Sequence, residues 1–487
     1  MSEAHPHQED DTVLAVDLDG TLCRTDTLHE ALLHTLTAKP RAIPGILNEL
    51  FEGKVAFKRK VAEATTLSAE DLPLNEEVMT LVHLAREAGR KTVLVTAADA
   101  AQAHAVADAL GIFDEVIATG TPGTEDVNLG GEAKAIYLAA RFGERGFDYV
   151  GNADVDIPVW SVARRAITVG AVAKLRRSAE RVNSEVVHLS PPGSTTDRAY
   201  TVLRAMRPYQ WSKNLLVFLP MLAAHDMHVF PAALAAFVAF SLMASSVYLL
   251  NDLADLAADR AHPRKCTRPF AAGEIPAAKG VMMAGFLIVM SLLVAILMTT
   301  PEFLAALGIY YVATFAYSFW LKRKLVLDVM VLAGLYTTRL IGGAAATAVV
   351  LSPWMLGFAM FLFLALAAVK RQAELTDVAA DGDGTAPGRA YIKDDLPMVR
   401  GIALSSGHAA VLVLALYITN EDTQELYSEP GALWLLCPIL LYWIMRMVMA
   451  THRGWMTDDP IVFAAKDPGS RLLIAAAALV VGVAAVL

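Results

Sequence analysis

The sequence predicts a two-part chain: a parallel α/β domain with a small helical cap, followed by an all-α polytopic membrane bundle of about nine transmembrane helices. Three observations predict it. Of 487 residues, 55% are hydrophobic and 19% charged, and mean hydropathy is +0.44, whereas an average soluble domain is about 25% charged. One soluble core cannot bury so much apolar surface, because cores stop growing near roughly 250 to 300 residues. A purely soluble enzyme is excluded. Charge is also segregated: residues 1–200 hold 30 Asp and Glu against 20 Lys and Arg, and residues 201–487 hold 20 against 21. Finally, short strand-like runs alternate with helical patterns in the acidic part, and long apolar stretches fill the rest. The acidic balance excludes a nucleic-acid binder.

Residues 1–12 form a polar, His-rich tail without the basic and apolar segments of a signal peptide, so the first domain is expected to stay where it is made. Cys23, Cys266 and Cys437 lie in three distant contexts, which suggests neither disulfides nor a metal site and fits a reducing compartment. The domain itself is expected over 13–175. An apolar run at 13–16 leads into Asp17-Leu18-Asp19-Gly20-Thr21, and further strand-like runs fall at 92–95, 116–118, 149–150 and 167–169. Ligands of such sheets sit at the carboxyl ends of the strands. Thr96, Lys134, Asn152 and Asp156 each follow a strand or open the helix after it.

These residues resemble the haloacid dehalogenase (HAD) phosphatase superfamily, whose D-x-D-G-T motif Asp17 to Thr21 match without gaps. The resemblance implies that Asp17 is the nucleophile and Asp19 the acid/base. It also implies that Thr96 supplies the second-motif hydroxyl and that Lys134 neutralises phosphoryl oxygens. The spacing agrees, since residues i and i+2 leaving a strand project the same way. Asp17, Asp19, Asn152 and Asp156 would hold Mg²⁺, with Asn152 standing where the family usually has Asp and being a weaker oxygen ligand. Residues from about 25 to 73 would be the cap that selects the substrate. A catalytically inactive regulatory module stays open as a second reading, because of Asn152.

Residues 176–203, with Pro191-Pro192-Gly193-Ser194, read as a linker. Apolar stretches then fall at roughly 214–224, 231–250, 280–298, 303–321, 326–346, 353–369, 401–419, 432–449 and 472–487, near the ~20 residues that span a bilayer. Lys and Arg gather in alternate loops, including Arg260 to Arg268 and Lys322 to Lys324. The positive-inside rule makes those loops cytoplasmic, which predicts a multi-pass protein of the inner (plasma) membrane with its N-terminal domain in the cytoplasm. Arg339 falls inside an apolar stretch, so it is either a site residue or a structural partner.

After the second stretch comes Asn251-Asp252-Leu253-Ala254-Asp255-Leu256-Ala257-Ala258-Asp259. The spacing predicts a helix presenting Asp252, Asp255 and Asp259 on one face. Three carboxylates repel unless a cation neutralises them, and hard oxygen ligands including Asn251 select Mg²⁺ bridged to a substrate's phosphates. Lys265 and Arg268 follow as phosphate ligands. This array, with Arg268-Pro269 and Gly273, resembles the UbiA superfamily of intramembrane transferases over residues 204–487. Lys370-Arg371-Gln372-Ala373-Glu374-Leu375, with Arg207-Pro208-Tyr209-Gln210-Trp211-Ser212-Lys213-Asn214, looks like its decaprenyl-phosphate phosphoribosyltransferase branch. That branch implies transfer of 5-phosphoribose from phosphoribosyl pyrophosphate (PRPP) to a polyprenyl phosphate. Lys213, Lys370 and Arg371 would be the extra cations, and Asn214, Arg339 and Glu374 would complete the substrate-binding set. A prenyltransferase moving a prenyl group from its pyrophosphate to an aromatic or other small acceptor remains the alternative.

Overall fold

The computed structural model describes residues 12–486 except 68, 126, 190–194, 382–388 and 457–458. The tail through residue 11 and the 191–194 stretch therefore lie outside the described residues. The chain forms two compact units: the part up to Met206 together with Leu249–Met283, and Arg207–Tyr248 together with Ala284 onward.

The first unit is built on a six-stranded parallel sheet of order β3-β2-β1-β4-β5-β6. Its strands are β1 (Val13–Val16), β2 (Thr92–Asp99), β3 (Glu115–Thr119), β4 (Phe147–Gly151), β5 (Ala166–Val169) and β6 (Val186–Leu189). Central β1 pairs Leu14 with Thr92 on one side and with Asp148 on the other. All four of its residues are buried because both faces are covered: Leu14 and Val16 join one core, Val13 and Ala15 the other. Between β1 and β2 come α1 (Thr27–Ala38), α2 (Ile43–Asn48) and α3 (Lys54–Ala64), the helical insert, and then α4 (Glu76–Glu87). The Asp26 carboxylate accepts the His29 N–H and opens α1. The sheet's remaining helices are α5 (Ala100–Leu110), α6 (Glu132–Phe142), α7 (Ile157–Val162) and α8 (Ala173–Val182), and α9 (Thr195–Met206) follows β6.

The expected linker from 176 is corrected here. Its first part continues α8, and β6 extends the sheet by pairing Ala166 with Val186 through Val169 with Leu189. Leu175 and Ala179 are buried on one face of α8, so the polar composition that suggested a linker is that helix's outer surface.

The second unit supplies α10 (Leu219–Ala223) and most of α11 (Phe230–Ala254); α12 (Leu256–Ala261) and the start of α13 (Ala277–Met298) belong to the first. Then follow α14 (Pro301–Phe319), α15 (Leu327–Thr347), α16 (Pro353–Asp381), α17 (Leu396–Thr419), α18 (Glu421–Leu426), α19 (Leu436–His452), α20 (Pro460–Lys466) and α21 (Pro468–Val486). Among the described residues eight helices are long and apolar enough to cross a membrane, which corrects the expected nine. The first expected stretch, 214–224, is instead a 3₁₀ helix, Pro208–Phe218, running into the short α10.

This rod lies antiparallel along α11. The Arg207 guanidinium sits 5.5 Å from the Tyr248 ring centroid, Trp211 Nε1 donates to Ser245 Oγ at 3.0 Å, and Asn214 Nδ2 donates to Ser241 Oγ at 3.0 Å. Phe218 packs on Phe237 and Phe230 with centroids 5.7 and 5.9 Å apart. A 3₁₀ helix repeats every three residues, so Trp211, Asn214 and Val217 share an edge. It also rises about 2.0 Å per residue, so 11 residues cover roughly 22 Å. Gly343 of α15 lets the rod approach, because a Cβ there would collide with the Val217 backbone.

Candidate functional site

The first polar centre lies at the carboxyl ends of β1, β2 and β4. Asp17 leaves β1 with its N–H on Val150 O at 3.0 Å. Lys134, buried on α6, donates to Asp17 Oδ1 at 2.6 Å, Tyr149 Oη at 2.9 Å and Val95 O at 3.2 Å. Asp19 Oδ1 accepts the Thr27 N–H and hydroxyl, both at 2.7 Å. Gly20 has φ +76°, and a Cβ there would collide with the Asn152 side chain, which explains the glycine of the motif. Burial pushes Asp17 up to about 6 despite Lys134, and pushes Asp19 up to about 7, with Asp26 adding to the rise. A carboxyl that holds its proton near neutrality suits an acid that protonates a leaving group.

The other expected residues divide. The Thr21 hydroxyl lies 3.4 Å from Asp17 Oδ2 and 3.3 Å from Asn152 Oδ1, so these two oxygens flank one point. They are the hard donors that suit Mg²⁺ retaining most of its waters. Asp156 is committed elsewhere: Oδ1 accepts the Tyr149 hydroxyl at 2.9 Å, and Oδ2 accepts the N–H groups of Asn152 at 2.9 Å and Ala153 at 3.0 Å. Its role here is to shape the turn that carries Asn152. Thr96 is buried with its Oγ1 accepting the Ala98 N–H at 3.0 Å, and Ala97 to Asp99 form the cavity wall instead. The cavity is about 200 Å³ and is also lined by Lys58 and Asp26, which the sequence reading did not single out.

The second centre belongs to the same unit and corrects the expected single helical face. α11 ends at Ala254, and Asp255 forms the break before α12, with φ −99° and ψ 13°. Asp252 and Asp259 are buried, whereas Asp255 is exposed and Asn251 half-buried. Arg268 Nη1 bridges the buried pair, 3.2 Å from Asp252 Oδ1 and 2.6 Å from Asp259 Oδ2. The guanidinium thus stands where a cation is needed, and the two carboxylates fit Mg²⁺ as hard oxygen donors. Lys265 is exposed in the turn before Arg268. Among the described residues no three His, Cys, Asp or Glu side chains converge at metal-binding distance.

The third centre lies in the second unit, around a residue the sequence reading missed. Asp459 Oδ2 is 2.6 Å from Lys213 Nζ and 3.4 Å from Lys370 Nζ, and Asp459 Oδ1 accepts the Ile461 N–H to open α20. Burial opposes its charge, but Lys213 and Lys370 overcome that and hold the carboxyl at about 2. Beside it Arg339 donates through Nε to Asn214 Oδ1 at 2.8 Å and through Nη2 to Tyr310 Oη at 3.1 Å. The only local signal was an Asp before a Pro, an ordinary helix opening.

Arg371 and Glu374 lie in a separate cluster of this unit. Adjacent helix positions diverge by about 100°, so Lys370 reaches Asp459 while Arg371, fully buried, pairs with Asp328 at 2.6 Å and with Glu374. Arg389 and the Tyr391 hydroxyl complete that cluster on Asp328. Both groups expected to bind substrate form ion pairs in a cluster that joins α15, α16 and the segment after it.

The apolar spans carry a held arginine, a lysine-rich centre and, after the first span, a paired-carboxylate segment. The UbiA prenyltransferase family model matches residues 215–466, and the chain belongs to that family. A haloacid dehalogenase-like hydrolase model matches residues 14–160. The protein y4nM of Sinorhizobium fredii is 35% identical over 461 residues, 94% of this chain and 88% of that protein. Decaprenyl-phosphate phosphoribosyltransferase of Mycobacterium tuberculosis is 34% identical over 308 residues, 62% of this chain and 98% of its own length. A UbiA homolog from Archaeoglobus fulgidus, solved bound to DMAPP and Mg²⁺, aligns over 58% of this chain and 99% of its own at 16% identity and a TM-score of 0.45.

Proposed function

We propose that this membrane transferase moves a 5-phosphoribosyl group from PRPP to a polyprenyl phosphate, and that the HAD-like domain then removes the 5-phosphate. The observation that carries the reading is the charge of the third centre: among the described residues, Lys213, Lys370 and Arg339 gather around the carboxylate of Asp459. A buried surplus of cations is costly unless an anion completes it. A lipid phosphate does so; a neutral aromatic acceptor does not. The similarity to decaprenyl-phosphate phosphoribosyltransferase supports the same choice.

In the transfer the bond from the sugar's anomeric carbon to pyrophosphate breaks, its electron pair leaving with pyrophosphate, and a lipid phosphate oxygen forms the new bond. Asp252 and Asp259 would hold Mg²⁺, which supplies charge stabilisation to the departing pyrophosphate. Arg268 would then move from the carboxylates to phosphate oxygens. In the soluble cavity Asp17 attacks the 5-phosphoryl group, Asp19 gives its proton to the ester oxygen, and water then releases inorganic phosphate. Purified protein incubated with Mg²⁺ should label decaprenyl phosphate from PRPP and should not label an aromatic acid from geranyl pyrophosphate. The opposite pattern would sink the reading.

The basic loops also support a cytoplasmic soluble domain. A cysteine placed at exposed Gln424 should then react with an impermeant reagent added to intact cells, and one at exposed Ala261 should not. A reversed pattern would overturn the orientation.

A further inference from the structure

The soluble cavity contains a cation that the phosphatase motifs do not use. Lys58 reaches into it from α3 of the helical insert and meets the carboxyl end of β2 at Ala97. Its ammonium donates to Ala97 O at 2.5 Å and to Asn128 Oδ1 at 2.6 Å. Both acceptors are neutral. The carboxylates around the cavity are engaged elsewhere: Asp17 by Lys134, Asp19 by Thr27, Asp26 by His29, Asp99 by the Ala101 N–H and Asp156 by Tyr149. Among the described residues none of them forms an ion pair with Lys58.

That arrangement has an electrostatic cost. Burial pushes the Lys58 ammonium below the usual lysine range, and Asp19 and Asp26 offset this only in part. Neutral acceptors satisfy two of its three N–H groups and leave one for a ligand. Lys134, by contrast, already has its counter-ion in Asp17. At about 200 Å³ the cavity has room for several waters. A phosphorylated pentose head can enter it, and a polyprenyl chain has to stay outside.

We propose that Lys58 determines specificity by binding a second anionic group on the substrate, at the far end of a small sugar whose near phosphoryl group lies against Asp17 and Lys134. The cavity then selects pentose phosphates that are anionic at both ends, one a terminal phosphomonoester and the other an anomeric phosphate ester. This rests on reading the domain as a phosphatase, and it names the feature by which that phosphatase would tell its substrate from a simple sugar phosphate.

The test uses the full chain in detergent with two soluble probes, ribose 5-phosphate and ribose 1,5-bisphosphate, whose anomeric phosphate stands in for the lipid phosphodiester. The parent protein should release the 5-phosphate with a KM about tenfold or more lower for the bisphosphate, the scale of one charge-assisted hydrogen bond. Lys58→Gln should bring the ratio of the two KM values close to one, and Lys58→Arg should restore most of it. A Lys58→Gln protein that keeps the ratio, even with both KM values raised, makes Lys58 a mere tie between insert and sheet and overturns the proposal. So does a parent without preference. Absence of phosphate release from either probe refutes the phosphatase reading instead. Equilibrium binding of the two probes to parent and Lys58→Gln then decides the role of Lys58 by the same ratio.

Discussion

The soluble cavity and the lysine-rich centre of the second unit are charged in opposite senses. Among the described residues, Asp17, Asp19, Asp26, Asp99 and Asp156 line the first with Lys58 and Lys134 against them, whereas Lys213, Lys370 and Arg339 gather around Asp459 in the second. A carboxylate-rich pocket raises the pKa of its own acids and attracts a divalent cation. A cation-rich one holds its carboxylate ionised and attracts an anion. The contrast fits the proposed covalent phosphoryl chemistry at the first centre and the proposed recognition of a phosphate at the second.

Breaking the carboxylate pair should have the largest effect. Asp252→Ala should cost transfer from PRPP at least about a thousandfold, roughly 4 kcal/mol of transition-state stabilisation. The protein should stay folded, since losing one of two like charges relieves repulsion. Near-parental turnover would remove this segment from the mechanism. Next, Asp17→Asn should lower phosphate release by about a hundredfold or more, on the scale of a lost nucleophile or base, while transfer continues and the 5-phosphorylated lipid accumulates. Identical lipid products from variant and parent would favour the regulatory reading that Asn152 keeps open.

On the cationic side, Lys213→Met should raise the KM for polyprenyl phosphate about ten- to hundredfold, with a smaller change in kcat, as expected for a charge-assisted contact made throughout the reaction. An unchanged KM would move the lipid phosphate away from Asp459. The smallest effect concerns stability. Burial opposes the charge of Asp148, but Arg164 and Arg90 hold its carboxyl below the usual range. Its contribution is therefore fully present above about pH 4, near the unfolded value, and is lost as pH falls through the lower folded value. Asp148→Asn should lower the unfolding temperature of the soluble unit by a few degrees at pH 7, with the gap closing toward pH 3. A gap independent of pH would deny the pair its electrostatic role.

Local pattern carried most of what could be read before folding. The β1 run into Asp17 and Asp19 was legible because burial of both sheet faces demands a continuous apolar strand, and a strand end aims i and i+2 alike. The apolar stretches from 231 onward were legible because a bilayer demands about twenty such residues. Where local pattern failed, packing had intervened. The 214–224 stretch is too short for an α-helical span, and the 3₁₀ helix that opens it pairs Trp211 with Ser245 and Asn214 with Ser241. Asp255 interrupts a helix with no Pro or Gly to announce it, while Leu253, Leu256 and Asp259 on either side are buried.

By itself the sequence determined the two-part architecture, the UbiA and HAD-like motifs and the residues that could do chemistry, because strand and helix periodicity and motif spacing are properties of neighbours along the chain. Only the tertiary structure decided which charge meets which. Lys213 finds Asp459 from the far end of the membrane region, Arg371 meets Asp328 while its neighbour Lys370 does not, and Lys58 enters a cavity whose Asp17, Lys134 and Asn152 come from other elements. Coulombic partners are chosen by distance in space and by burial, and neither is a function of separation in sequence.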